Sequence, residues 1–218
     1  REVTFKGDIG LSLLPAPALS VADVSLASLP GAQEARMLRL KRLEVRVALA
    51  PLLSGQIKVE TVRLVEPVLV LETLADGRRN WNFAAAPSPS AAAPAPPPPA
   101  AAPAAPLAIN FDNIVVENGT VVVRDARAKS EERFEAVSAR IAASSLEGPF
   151  EAAGALKTRG VVFNITAVLG RLADDRAVPL NLNLTAAGAK LQSSGTISGL
   201  AQTPRYRGKV KIEGENLA

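Results

Sequence analysis

Apolar and polar residues alternate with a period of two along most of this chain. Val178, Leu180, Leu182 and Leu184 are set against Asn181, Asn183 and Thr185, and Val210 and Ile212 against Lys209, Lys211 and Glu213. Successive side chains of an extended strand point to opposite faces, so this pattern specifies strands with one dry and one wet face. Strands of that kind build antiparallel sheets. The same period runs through Val3, Phe5, Gly7 and Ile9, and through Leu43, Val45, Val47 and Leu49. Ile57 and Val59 open a strand whose apolar phase changes at Val62 and Leu64, which predicts a bulge near Thr61. Residues 68–72 form a short strand reached through Pro67, since proline is tolerated at a strand's start.

Turn residues divide these runs. Asp76-Gly77 is a turn dipeptide, because both residues accept positive φ. Asn118-Gly119, between Ile114-Val115-Val116 and Val121-Val122-Val123, has the form of a hairpin turn. Pro15-Ala16-Pro17 breaks the first segment, residues 51–55 read as a tight connection, and Gly148-Pro149 turns the chain. Residues 33–41 are expected to carry one or two helical turns. Strands follow over residues 135–145, 150–156, 161–169, 180–185, 191–197 and 207–213. The fold class is therefore mainly β, with antiparallel strands and one or two short helices, and the turn spacing fits a sandwich, a barrel or a long open meander.

Every residue from 84 to 106 is Ala, Pro or Ser. Proline fixes φ and lacks a donor, so neither a helix nor a central strand passes through Pro96-Pro97-Pro98-Pro99. The stretch is expected to be polyproline II or disordered, a linker between a β region at 1–83 and a second at 107–218. The chain opens at Arg1 in mid-pattern and is expected to be part of a longer protein. No run of about 18 apolar residues is present, so no membrane-spanning helix is expected in it.

Composition narrows the chemistry. Histidine and cysteine are both absent from the 218 residues, which removes the usual general base, the commonest metal ligand and the thiol nucleophile. No cofactor, metal or catalytic site is expected. Asp8, Asp23, Asp125, Asp174 and Asp175 are carboxylates near turns, with no spacing that brings a pair together. The glycines form no phosphate-binding fingerprint. The net charge of +4 is spread among opposite charges, Arg36, Arg39, Lys41 and Arg42 being flanked by Glu34 and Glu44. Nucleic-acid surfaces carry denser basic stripes with stacking aromatics, and aromatics are only 4% here, so no nucleic-acid partner is expected. Trp81, the single tryptophan, is expected to cap one end of a core. With few helices to cover them, the dry faces of the sheet either pack on one another or take an apolar ligand.

The order of motifs in residues 1–83 resembles the AsmA family. The stretch from Gly7-Asp8-Ile9-Gly10-Leu11 to Leu19 is similar to that family's opening, and Val21-Ala22-Asp23-Val24-Ser25-Leu26-Ala27 to its next strand. Pro51-Leu52-Leu53-Ser54-Gly55-Gln56-Ile57 with Leu64-Val65-Glu66-Pro67, then Asp76-Gly77 with Asn80-Trp81-Asn82-Phe83, continue the likeness. Residues 107–218 follow it more loosely, best over residues 114–125 and at Leu146-Glu147-Gly148-Pro149. The resemblance implies a periplasmic module of a protein held in the bacterial inner membrane by a helix outside this segment. It implies, among these architectures, a curved open sheet forming a taco-like β-groove for phospholipid or another acyl-chain lipid, a role in outer-membrane biogenesis, and no catalysis; envelope proteins are the other expected partners. The residues expected on the lipid face are Val45, Val47, Leu49, Val121, Val123, Leu180, Leu182, Leu184, Val210 and Ile212.

Overall fold

A computed structural model describes residues 2–12, 17–53, 58–82, 111–143, 145, 147–172, 177–199 and 205–214. The stretch at residues 84–106, together with Ile57, Phe83, Leu146, Asp174 and Asp175, lies outside the described residues. The elements in chain order are β1 (Val3–Phe5), β2 (Ile9–Ser12), β3 (Ala18–Ala27), β4 (Arg36–Val47), α1 (Leu49–Leu53), β5 (Val59–Val65), β6 (Val68–Thr73) and β7 (Phe111–Asp125). They continue with β8 (Ser130–Ala143), β9 (Phe150–Thr158), β10 (Val161–Leu169), β11 (Val178–Ala186), β12 (Ala189–Ser198) and β13 (Arg205–Gly214).

All 13 strands join one sheet in the order β1-β3-β4-β5-β7-β8-β9-β10-β11-β12-β13, with β2 beside β3 and β6 between β4 and β7. The sheet is not closed into a barrel. Elements touch their neighbours along the sheet. The two packed sheets of a sandwich are not formed by the described residues.

Pairing is antiparallel except where β5 and β6 both run parallel to β7. Antiparallel neighbours can be joined by two residues, whereas a parallel pair needs a connection long enough to bring the chain back. Residues 74–110 make that return, so the low-complexity stretch falls in the one crossover a simple meander would not need.

Local expectation yields to pairing in four places. Residues 36–41 are strand, not helix, because β4 lies between β3 and β5–β6 and buries Met37 and Leu40. Asn118-Gly119 makes no hairpin: β7 passes straight through it, held on both flanks, and Asn118 takes φ 52° within the strand. Val3 to Ile9 is two strands, since β1 and β2 pair separately with β3; a Cβ on Gly7 between them would sit 2.6 Å from that of Ala22. Leu49 leaves the alternation of β4 and starts α1. The bulge near Thr61 is present: Arg46 faces Thr61 and Val47 faces Val59, so Glu60 is the extra residue. Gly77, at φ 86°, forms the expected turn.

A row of left-handed residues runs across the sheet from β3 to β8. Asp23 (φ 50°) on β3, Glu66 (φ 48°) between β5 and β6, and Asn118 on β7 lie in one register line through Lys41, and Ala136 (φ 49°) on β8 lies close to that line. At this line each strand it crosses, from β3 to β8, changes its apolar phase. On β3 Leu19 and Val21 give way to Val24 and Leu26; on β4 Val45 and Leu43 give way to Leu40 and Leu38. A left-handed residue interrupts side-chain alternation, so apolar residues on either side of it share a face. The buried cluster of Val21, Val24 and Leu40, packed with Leu38, Leu43 and Leu64, straddles the row.

The opposite face of β6 and β7 is covered locally. Val70 and Val122 face each other there, and Glu72 and Asn80 are fully buried under the connections 28–35 and 74–82. Asn80 Nδ2 donates to Val70 O at 2.8 Å and to Ser28 Oγ at 3.2 Å. Both carboxylate oxygens of Glu72 accept the Gln33 N–H, at 3.0 and 3.1 Å. Asn80 is buried at this end, and Trp81 next to it is half-buried with Arg79 5.8 Å from its ring centre.

Candidate functional site

Register turns the scattered apolar residues into continuous rungs. Leu19 faces Val45, and the line continues through Val62, Ile114, Ile141, Ala152, Ala167, Leu182 and Ser193 to Val210. A second rung runs from Ile9 and Val21 through Leu43, Leu64, Val116, Ala139, Gly154, Ile165, Leu184 and Leu191 to Ile212. Between them, on the other face, runs Ser20, Glu44, Arg63, Val115, Arg140, Ala153, Thr166, Asn183, Gln192 and Lys211. One face is therefore apolar from β3 to β13 and the other largely polar.

A third apolar line flanks the first: Val47 faces Val59, and farther along Phe150 faces Leu169, which faces Leu180. The outer rungs are about 14 Å apart along the strands, and crossing from β3 to β13 covers about 43 Å. Beyond the left-handed row the face continues through Leu26, Leu38, Leu69, Val121 and Phe134, and through Leu71 and Val123.

This band is half-buried although the described residues supply no second layer over it. Leu182, Leu184, Ile165 and Ile141 are each partly shielded, while Asn181, Asn183 and Thr166 on the other face are exposed. Shielding on one side only is what curvature toward that side produces. At the β13 edge the shielding is lost, and Val210 and Ile212 are 56% and 54% exposed.

Of the residues expected on the lipid face, Val45, Val47, Leu180, Leu182, Leu184, Val210 and Ile212 lie on the three rungs. Val121 and Val123 lie on their continuation. Leu49 does not belong: it is the first residue of α1 and 45% exposed. Val62, Leu64, Ile114, Ile141, Ile165 and Leu191 belong to the band as fully as the expected residues. Each lay in a strand pattern already, but only cross-strand register assigns its face.

The band carries no ionised group from Leu19 to Val210. Charges gather on the polar face, where Glu44 lies 3.8 Å from Arg63 and Arg63 lies 3.1 Å from Glu117. Exposed pairs of this kind contribute about 0–1 kcal/mol each, so they set which face stays wet more than they stabilise the fold. Carboxylates shifted from their ordinary range lie at turns and at the sheet edge. The Arg78 backbone N–H, then its guanidinium, lowers the pKa of Asp76; the backbone N–H groups of Ala128 and Arg127 lower that of Asp125. Lys211 lowers that of Glu213 on β13. No group of three or more acidic side chains among the described residues is placed to hold a metal ion.

An open, one-layer sheet with a continuous apolar face defines a β-groove protein. The chain belongs to the AsmA family, whose model matches residues 1–213. No curated protein and no solved structure matches it. Membership associates the chain with biogenesis of the bacterial envelope at the level of the family. No helix among the described residues is long and apolar enough to cross a membrane.

Proposed function

We propose that this chain is a non-catalytic periplasmic module of an inner-membrane-anchored AsmA-family protein, and that it binds phospholipid along the apolar band. The observation that carries this reading is the pair of unbroken rungs from Leu19 to Val210 and from Ile9 to Ile212. Acyl chains laid on them leave water at about 0.8 kcal/mol per buried CH₂, while headgroups stay at the rim. The rungs run across the strands, so a chain can shift along them without meeting a charge. The anchoring helix would lie outside this segment.

A second reading is a scaffold that binds envelope proteins. The observation favouring it is β13, exposed along its whole length and able to accept another strand. An apolar fluorescent dye separates the two. A lipid band takes up dye in the native state and releases it to added phospholipid; a scaffold working through its edge does neither.

A further inference from the structure

The side chains of Lys6, Arg36, Arg39 and Lys41 converge on a cleft of about 490 Å³ beside β1, β3, β4 and β6. Against these four cations stand two carboxylates, Asp23 and Glu66. Lys41 Nζ is 3.0 Å from Glu66 Oε1. The side chains of Lys6, Arg36 and Arg39 have no ion-pair or hydrogen-bond partner among the described residues. The acidic neighbours in sequence are turned elsewhere: Glu34 lies 3.7 Å from Arg124, and Glu44 3.8 Å from Arg42 and from Arg63.

Ser25 supplies a second, independent feature. It is 5% exposed and lines the same cleft, and its hydroxyl has no hydrogen-bond partner among the described residues. Ser25 faces Arg39, which faces Val68, so hydroxyl and guanidinium stand on one rung. That rung alternates with Leu26, Leu38 and Leu69, and so points to the face opposite the apolar band.

We infer that this cleft binds a phosphate-type oxyanion, with the Ser25 hydroxyl and the guanidinium groups of Arg36 and Arg39 donating to its oxygens and Lys6 supplying charge. Planar guanidinium forks fit tetrahedral oxyanions, and hydrogen bonds between ionised partners are the stronger kind. Asp23, which also lines the cleft, opposes a second negative charge there. Val24 and Leu40 of the buried cluster also line the cleft, but the inference does not depend on the acyl-chain reading, because the groups that would hold the phosphate are polar side chains off the apolar rungs.

The test titrates the chain with sodium phosphate and, separately, with sodium chloride while following the backbone amide NMR signals of residues 25 and 41, which line the cleft and remain in every variant. A parallel arm floats the chain with phosphatidylglycerol or phosphatidylcholine vesicles. Both arms are repeated with Ser25→Ala and with Arg36→Gln/Arg39→Gln, whose arginines are exposed and whose thermal midpoint monitors the fold. The expected result is a saturable shift with phosphate alone, weakened at least about tenfold in the double variant. If flotation with phosphatidylglycerol falls in the same variants, the phosphate is a lipid headgroup; if phosphate binds and flotation is unchanged, it is a free ion. Equal shifts with chloride, or no saturable shift with phosphate together with flotation untouched by the substitutions, would overturn the site.

Discussion

Asn80 pairs with Glu72 twice: its backbone N–H donates to the Glu72 carbonyl at 3.0 Å, and its side-chain Oδ1 accepts the Glu72 N–H at 2.9 Å. One residue thus stands in for a strand partner at the end of β6. Its Nδ2 reaches Val70 O as well, so the amide serves buried backbone groups on both of these residues. Asn80→Ala leaves the Glu72 N–H and Val70 carbonyl buried without these partners. The expected loss is about 3 kcal/mol in urea denaturation, and Asn80→Asp, which cannot donate to Val70, is expected to lose a similar amount.

Leu182 and Asn183 are neighbours in β11 with opposite exposures to the proposed ligand. Leu182→Asp puts a charge in the first rung, between Ala167 and Ser193. Phospholipid uptake is expected to fall at least about tenfold, because a carboxylate on an apolar contact surface must be desolvated or must exclude the acyl chain. Asn183→Asp, one residue away on the wet face, is expected to leave uptake unchanged. Val47→Asp is expected to behave as Leu182→Asp, while Leu49→Asp, off the sheet, is expected to be silent. Circular dichroism checks that each variant remains folded.

The left-handed row carries its own prediction. Asn118 sits at φ 52°, where asparagine is tolerated and a β-branched residue is strained. Asn118→Val is expected to destabilise by about 1–2 kcal/mol, and Asn118→Gly to stay within about 0.5 kcal/mol of the parent. Chemical denaturation measures both. If the row creates the curvature, Asn118→Val also weakens lipid uptake, whereas Asn118→Gly does not.

Acid should act through turns. Asp76 accepts from the Arg78 N–H at 2.9 Å and from its Nε at 2.6 Å, and Asp125 accepts from Arg127 N at 2.8 Å and Ala128 N at 3.0 Å. These bonds hold both carboxyls below their ordinary value of 3.8. A group whose folded-state pKa is depressed contributes stability above its unfolded pKa and loses it as pH falls through the folded one. The thermal midpoint is therefore expected to be flat from about pH 8 to about pH 5 and to fall below about pH 4. Asp76→Asn/Asp125→Asn is expected to flatten that acid limb.

The strands were legible because period two is a local property. Residues 161–169, read from alternation alone, are β10 from end to end. What was not legible depends on partners far away in sequence. Residues 36–41 have helical promise in isolation, but β3 and β6 on either side of β4 make them strand. Asn118-Gly119 supplies a left-handed residue, and nothing local says whether it ends a strand or bends one. The parallel pairing of β6 with β7 lies across the low-complexity connection, where pattern offers no guide. The cation cleft was hidden for the same reason. Glu34 and Glu44 flank Arg36, Arg39, Lys41 and Arg42 in sequence, yet in space Glu34 pairs with Arg124 and Glu44 lies between Arg42 and Arg63.

The central claim is that the apolar face from β3 to β13 holds phospholipid. Native mass spectrometry of the purified chain, before and after incubation with phospholipid, tests it most directly. The account predicts a stoichiometric phospholipid adduct that is lost in Leu182→Asp and kept in Asn183→Asp. A folded, monomeric chain that carries no adduct after incubation would contradict it.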